Sequence, residues 1–272
     1  MRSRGVYINL DRSADRREQM EAAIAELAFP YAIERFPAMV GDGRKAGLSQ
    51  GELGCFLSHQ AVVDQAADDE IALIFEDDVY FPNDFTSRYL GIIRRLAGMD
   101  WDMVFLGQVL DYNEISSVHG FLKFKRALGD INAPGYNDFR ILPGEKVYRW
   151  GGFAYAVNPR ALPRLRALLQ RVANEGYRAP IDTVYRMFAK ERLMNTKVVF
   201  PYIVGVQYDM ASTAVGRVGS NMSLHNTLTN LFVAGCDQGD ARAEAARYLA
   251  ASPADDDALV VSRILYERLR QT

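Results

Sequence analysis

At 272 residues, 49% of them hydrophobic and 24% charged, the chain has the make-up of one large globular domain, or of a domain with a helical appendage. Its 32 Lys and Arg against 34 Asp and Glu leave a net charge of −2, which argues against a nucleic-acid-binding protein and leaves only local basic patches open. Cys55 and Cys236 lie far apart and match no zinc spacing, so a reduced, cytoplasmic location is the simplest reading.

The apolar run behind Met1-Arg2-Ser3-Arg4 ends at Leu10, too short for a signal peptide or a membrane span, although peripheral membrane contact stays open. Gly5 to Leu10 reads as a first strand. Asp15 followed by Glu18 has the spacing of a capping box, and Met20, Ala23, Ile24 and Leu27 supply the apolar face of the helix it would open. Tyr31 to Ala38 is a second strand. A Gly-rich loop from Gly41 to Gly47 then leads to Ser49-Gln-Gly-Glu52, a second capping-box pattern, for a helix running to about Ala67.

Ile71 to Phe75 is a third strand and Met103 to Leu106 a fourth, so strand and helix alternate as in an α/β fold with a mainly parallel sheet flanked by helices. From Gln108 to Arg149 the periodicity fades. Trp150 to Val157 is a strand carrying Gly151-Gly152; Asn158 caps a helix with Pro159 at its first position. Pro180 opens another helix with Ile181, Val184, Tyr185 and Phe188 on one face, and Lys197 to Val206 is a last strand. Gly205 to Leu224 is expected to be a mobile loop, and an Ala-rich helical tail begins at Asp240. Leu259, Val260, Ile264 and Leu265 in that tail could pack on a partner chain as a homodimer.

The most informative octapeptide is Ile71 to Asp78, an apolar strand that stops at Glu76-Asp77-Asp78. Adjacent carboxylates repel each other unless something positive arrives, and strand ends are where open α/β sheets bind ligands. A divalent cation such as Mn²⁺ or Mg²⁺ with a phosphorylated ligand would satisfy both. Read alone, the acids could equally cap a helix or sit in water.

Glu52, Cys55, Ser58 and His59 fall on one helix face, with Leu53, Phe56 and Leu57 turned elsewhere toward the sheet. That polar face could line a site, could belong to a half-buried helix whose histidine bonds a carbonyl, or, more weakly, could be a Cys-His nucleophile. Asn9, Asp11, Arg12 and Arg16 cluster past the first strand, suited to a nucleotide or to a solvated turn.

The ordered set Tyr7-Ile-Asn-Leu-Asp-Arg-Ser13, Arg16-Arg17, Phe36-Pro-Ala38, Leu48-Ser-Gln-Gly-Glu-Leu-Gly-Cys-Phe-Leu-Ser-His59 and Leu73-Ile-Phe-Glu-Asp-Asp-Val79 resembles glycosyltransferase family 25. That family includes bacterial lipopolysaccharide galactosyltransferases and collagen galactosyltransferase domains. The resemblance is dense from Val6 to Phe85 and thinner through Gly151-Gly-Phe-Ala-Tyr155 and Pro180-Ile-Asp182.

It implies a GT-A-like nucleotide-diphospho-sugar transferase fold over residues 1–207, with a donor half to about 107 and an acceptor half from 108. Residues 208–272 would form a C-terminal helical extension. The implied donor is a UDP-sugar, commonly UDP-galactose, used with Mn²⁺ or Mg²⁺, and the implied acceptor is a glycan or a protein hydroxyl. A non-catalytic nucleotide- or glycan-binding scaffold is the reading from a different class.

By the same resemblance Glu76, Asp78 and Gln207 would hold the metal, with Glu76 and Asp77 near the nucleotide. Asn9, Leu10, Asp11, Arg12, Arg16, Ala38, Glu52, Cys55, Ser58 and His59 would line the donor pocket. Gly151 and Gly152 would admit the sugar to the backbone, or form a β-bulge. Tyr148, Trp150 and Tyr155 could stack on a sugar face, or be core. Asp182 would be the base of an inverting reaction, or an acid favoured at a helix N-terminus. Asp209 is the reserve base, and His225 could fold over the diphosphate.

Overall fold

A computed structural model describes residues 2–42, 47–109, 115–133, 136–207 and 229–236, with 243 and 246. The first half contains β1 (Ser3–Asn9), α1 (Ala14–Glu26), β2 (Ile33–Pro37), α2 (Gln50–Gln65), β3 (Ile71–Glu76), the short β4 (Val79–Tyr80), α3 (Phe85–Leu96) and β5 (Met103–Phe105). The second contains α4 (Ile115–Leu128), β6 (Arg140–Pro143), the single turn α5 (Gly144–Val147), β7 (Ala154–Val157), α6 (Leu162–Asn174), α7 (Ile181–Lys190), β8 (Thr196–Phe200) and β9 (Gly205–Val206).

Seven strands form one sheet in the order β2-β1-β3-β7-β5-β8-β6. β1, β2, β3, β5 and β8 run one way; β7 lies antiparallel to both β3 and β5, and β6 antiparallel to β8. The sheet is thus mostly parallel, as the alternation of strand and helix predicts. Its two faces carry separate cores. Ala72 and Ile74 of β3 pack with Phe56 and Val63 of α2, Leu165 of α6 and Val184 of α7. Leu73 and Phe75 pack with Met20 of α1 and with Phe85, Tyr89 and Ile92 of α3.

The chain leaves β1 outward to β2 and returns across it to β3, with α1 and α2 on opposite faces. The carboxyl ends of β1 and β3 therefore flank a crevice at a topological switch point. No helix among the described residues is long and apolar enough to cross a membrane.

Several expectations are corrected locally. The first helix begins one residue before Asp15, with Ser13 at the N-cap and no side-chain capping bond, so Asp15 sits in the first turn and the Asp15/Glu18 box does not form. The Ser49/Glu52 box does form, both bonds included, and the helix ends at Gln65. Leu53 and Phe56 are buried as expected and Leu57 is only half-buried, but Ser58 and His59 are fully buried as well, so α2 turns part of its polar face inward beside its apolar one.

The stretch with fading periodicity holds α4, β6 and α5. The strand expected from Trp150 begins only at Ala154, after Gly151 takes φ +97°. The run from Lys197 to Val206 is two strands, because Pro201 interrupts it and Tyr202 and Val204 bond elsewhere, to Phe232 and Leu106. Residues 229–236 pack beside the segment from 202 to 206, with Tyr202 and Val233 forming an isolated parallel bridge. There the buried Asn230 side chain accepts from the Val206 N–H and donates to the Val206 carbonyl. Asp209, His225 and the C-terminal helices with their dimer face lie outside the described residues.

The two serine N-caps give a direct check. Ser49→Ala should cost about 1 kcal/mol by urea denaturation, since it strips a side-chain cap from the helix that carries the site. Ser13→Ala should stay within about 0.5 kcal/mol of wild type.

Candidate functional site

Side chains alternate across a strand, and that alternation parcels out the three acids at the end of β3. Glu76 faces the α2 side, where its Oε1 lies 3.3 Å from Nε2 of His59. Asp77 faces the α1 side, where its Oδ1 accepts from Arg16 Nη1 at 2.9 Å and its Oδ2 from Asn9 Nδ2 at 2.6 Å. Asn9 is used up in that role: its Oδ1 accepts from Arg35 Nε, and its Nδ2 also reaches the Ser13 carbonyl.

Asp78 differs. Its Oδ1 is buried and has no hydrogen-bond partner. Burial first, and then the charge of Glu76, push its carboxyl up to about 7, against an opposing pull from Arg16.

Helix α2 approaches closely because Gly54 has no Cβ, which would stand 2.6 Å from the Met39 carbonyl. Ser58 fastens the contact: its Oγ accepts from the Met39 N–H at 2.8 Å and donates to the Gly54 carbonyl at 2.7 Å. One residue on, His59 is fully buried, and its Nδ1 lies 2.9 Å from the Tyr155 hydroxyl, which lies 2.8 Å from that of Tyr185. Cys55 stands one turn before His59, and its thiol, the imidazole and the Glu76 carboxylate have ligand atoms within 4.8 Å of one another. Burial, reinforced by the charge of Glu76, drives the thiol well above its ordinary value. A thiol held protonated is a poor nucleophile, which weighs against the Cys-His reading.

Residues from the second half of the chain adjoin this cluster. A Cβ on Gly152 would lie 3.9 Å from Glu76 Oε1, and the Glu76 N–H donates to the Phe153 carbonyl. Gly151, in the left-handed region, could carry no side chain without meeting Phe153 and the Val109 backbone. Asp182, in the first turn of α7, accepts from the Thr183 N–H at 2.7 Å and from the backbone of Gly151. Its carboxyl is raised by burial, and by Glu76, against those two bonds. Gln207 reaches the acid turn through its backbone, donating N–H to the Asp78 carbonyl at 2.8 Å, while its side chain donates to the Val79 carbonyl at 3.4 Å.

A cleft of about 340 Å³ opens between the acid turn, the turn after β1 and the N-terminal half of α2. Its walls include Leu10, Arg12, Arg16, Ala38, Cys55, Ser58, His59, Glu76, Asp77 and Asp78, brought together from five separate stretches of sequence. Of the residues proposed for the site, Asn9, Asp11, Glu52, Gly151, Gly152, Asp182 and Gln207 do not line the cleft. Asn9 stands behind Asp77, Asp11 is held outward by Arg35, and Glu52 closes the capping box on the Ser49 N–H.

The aromatic platform is also absent from its walls. Tyr155 and Tyr148 are buried, the latter stacked on Phe105 at 3.7 Å, and Trp150 lies under the Arg186 guanidinium at 4.8 Å. Sequence reading missed Met39, Val40, Gln50 and Gly51 on the wall, and Arg35 behind it. The Ser49 capping box was the available signal for Gln50 and Gly51, since it places the N-terminus of α2 at this point.

Fold and site together define an α/β protein with an acidic ligand cleft at its switch point. The sequence model of glycosyltransferase family 25 (LPS biosynthesis protein) matches residues 33–184, and the chain belongs to that family. It is 31% identical over 124 residues to human procollagen galactosyltransferase 2 and 30% identical over 124 residues to procollagen galactosyltransferase 1-A of Xenopus laevis. It is also 27% identical over 124 residues to a human protein named inactive glycosyltransferase 25 family member 3. The matched stretch is 37% of this chain and covers only 20% of each galactosyltransferase and 21% of the inactive member.

A carboxyl that titrates higher in the folded chain than in the unfolded one keeps an extra proton when folded. For Asp78 that window runs from about 4, the unfolded value, to about 7. Stability of the metal-free protein should therefore fall as pH rises through it. Asp78→Asn should stabilise the metal-free protein at pH 8, by on the order of 2 kcal/mol, with the gain fading toward pH 4. Thermal melts in chelator across that range would show it.

Proposed function

We propose that the chain is a metal-dependent, inverting hexosyltransferase with a GT-A-type fold. It moves galactose from UDP-galactose to a hydroxyl of a surface glycan such as lipopolysaccharide. The observation that carries this reading is the buried Oδ1 of Asp78, which has no hydrogen-bond partner, beside Glu76 in a cleft also lined by two arginines.

The donor set fits a hard cation: carboxylate oxygens suit Mn²⁺ or Mg²⁺, and a bound cation would relieve the repulsion between Glu76 and Asp78. Asp78 and Glu76 would hold it, with the Gln207 side chain as a further oxygen ligand. Asp77 is excluded from that set, because Arg16 and Asn9 already take both its oxygens. When bound, the cation neutralises charge on the departing nucleoside diphosphate.

The chain's own groups do the rest. Arg12, Arg16 and the N-terminal turn of α2 (Ser49, Gln50, Gly51) present positive charge and backbone N–H groups to the diphosphate. Leu10, Ala38 and Met39 offer apolar surface to the nucleoside. Asp182 takes the proton of the acceptor hydroxyl as that oxygen attacks the anomeric carbon and the bond to UDP breaks. Its raised pKa brings it nearer the working pH, which favours a general base.

The procollagen galactosyltransferases among the relatives favour a second acceptor class, a hydroxyl carried on a protein. One relative is named inactive, which keeps a non-catalytic scaffold as the contrasting outcome.

Incubation with UDP-galactose and UDP-glucose, with and without Mn²⁺, should give donor binding and turnover only with metal. Asp182→Asn should lower kcat by about 10²–10⁴ while changing donor Kd by less than about threefold. Asp78→Asn should instead weaken Mn²⁺-dependent donor binding. No UDP-sugar binding or turnover with any metal would falsify the proposal, and transfer to peptides but not to glycans would move it to the protein acceptor.

A further inference from the structure

We infer that Cys55, His59 and Glu76 form a second cation site, for a borderline-soft ion of the Zn²⁺ class, at the inner end of the cleft. None of the roles above uses the Cys55 thiol, and the three groups come from two elements that fold against each other. Cys55 and His59 are one turn apart on α2, and Glu76 ends β3. Their ligand atoms lie within 4.8 Å of one another. Zinc bound at about 2.0–2.3 Å needs ligands about 3.4–3.8 Å apart, so a closing movement of about 1 Å completes three corners of a tetrahedron. The fourth corner opens on the cleft.

Thiolate, imidazole and carboxylate together are a zinc donor set, whereas a hard cation such as Mn²⁺ prefers oxygen alone. The surroundings supply what a metal-bound histidine needs. Its far nitrogen, Nδ1, already meets the Tyr155 hydroxyl, and Tyr155 meets Tyr185. Hydroxyls can donate or accept, so the pair can reverse direction. Tyr155 can donate to Nδ1 while Nε2–H faces Glu76, and can accept from Nδ1–H when Nε2 turns its lone pair to a metal. On binding, the thiol proton leaves to solvent.

This site shares Glu76 with the hard-cation pair, so the two ions compete for one carboxylate. On the transferase reading, which this consequence alone rests on, zinc is an inhibitor acting from inside the donor cleft.

The test uses the full, metal-stripped chain titrated with Co²⁺, which reports a bound thiolate by charge-transfer absorption in the near ultraviolet. The band should appear, be displaced by Zn²⁺, vanish in Cys55→Ser and persist in Cys236→Ser. Zn²⁺ affinity should fall in Cys55→Ser by more than the roughly 10–100-fold that loss of an outer-shell partner costs. No band in the native chain, or a band that survives in Cys55→Ser, overturns the site.

Circular dichroism of Cys55→Ser, a near-isosteric change, should match that of the native chain. Asp78→Asn should keep the band. If it does while no form binds UDP-galactose with Mn²⁺, the zinc site stands and the transferase reading falls. Where turnover is present, Zn²⁺ inhibition should weaken at least tenfold in Cys55→Ser, and equal inhibition of both forms overturns the competition for Glu76.

Discussion

Three carboxylates in sequence at the end of a buried strand cannot share one environment. Two unit charges 4 Å apart interact by about 4 kcal/mol at the effective dielectric of a protein surface, and burial raises the cost further. The pleat resolves most of this by sending neighbours to opposite faces. Asp77 goes to the α1 side and finds Arg16 and Asn9; Glu76 goes to the α2 side and finds His59. Each partner is itself fixed, Asn9 by Arg35 of β2 and His59 by Tyr155 and Tyr185. The front of the molecule is thus organised around charge that the sheet itself creates. Asp78 alone has an oxygen left over.

That division explains why a polar helix face is buried here. A helix on a sheet ordinarily turns its apolar stripe inward. In α2 the inward surface also includes Ser58 and His59, both fully buried, and it stays stable because each is bonded: Ser58 to Met39 and Gly54, His59 to Glu76 and Tyr155. Phe56, Val62 and Val63 complete the contact with the core. The same helix therefore packs the domain and supplies a wall of the cleft, and both depend on Gly54 letting it approach the loop that follows β2.

What was legible in the sequence was whatever closes locally. The apolar run of β3 stopping at its acids is a pattern within eight residues. The Ser49/Glu52 box is a reciprocal bond within four. The same spacing at Asp15 and Glu18 makes no box, because the helix starts two residues earlier, with Ser13 at the N-cap and the Ser13 carbonyl accepting from Asn9 Nδ2.

The bonds that complete the cluster were illegible because their partners lie far apart in the sequence. His59 and Tyr155 are 96 positions apart, and nothing in either neighbourhood advertises the other. Tyr155 reads locally as an aromatic near glycines, suited to a sugar, yet its hydroxyl is turned inward. β6 was missed because, among the described residues, it is an edge strand whose one partner, β8, lies more than fifty residues later.

The acid turn is also held from behind. β4 and β9 pair, the Gln207 N–H bonds the Asp78 carbonyl, and Asn230 grips both polar groups of Val206. A strand end anchored on both flanks cannot readily swing its last carboxylate out to water, so the penalty for an unpaired charge stays in place. Such a penalty favours whatever positive group enters the cleft, because binding removes a cost the fold already bears. Had the turn been loose, Asp78 would solvate itself and that bias would vanish. The β4–β9 pair, directly behind the acid turn, would therefore be part of how the site favours a cation, and it links residues near the end of the described chain to the acids that end β3.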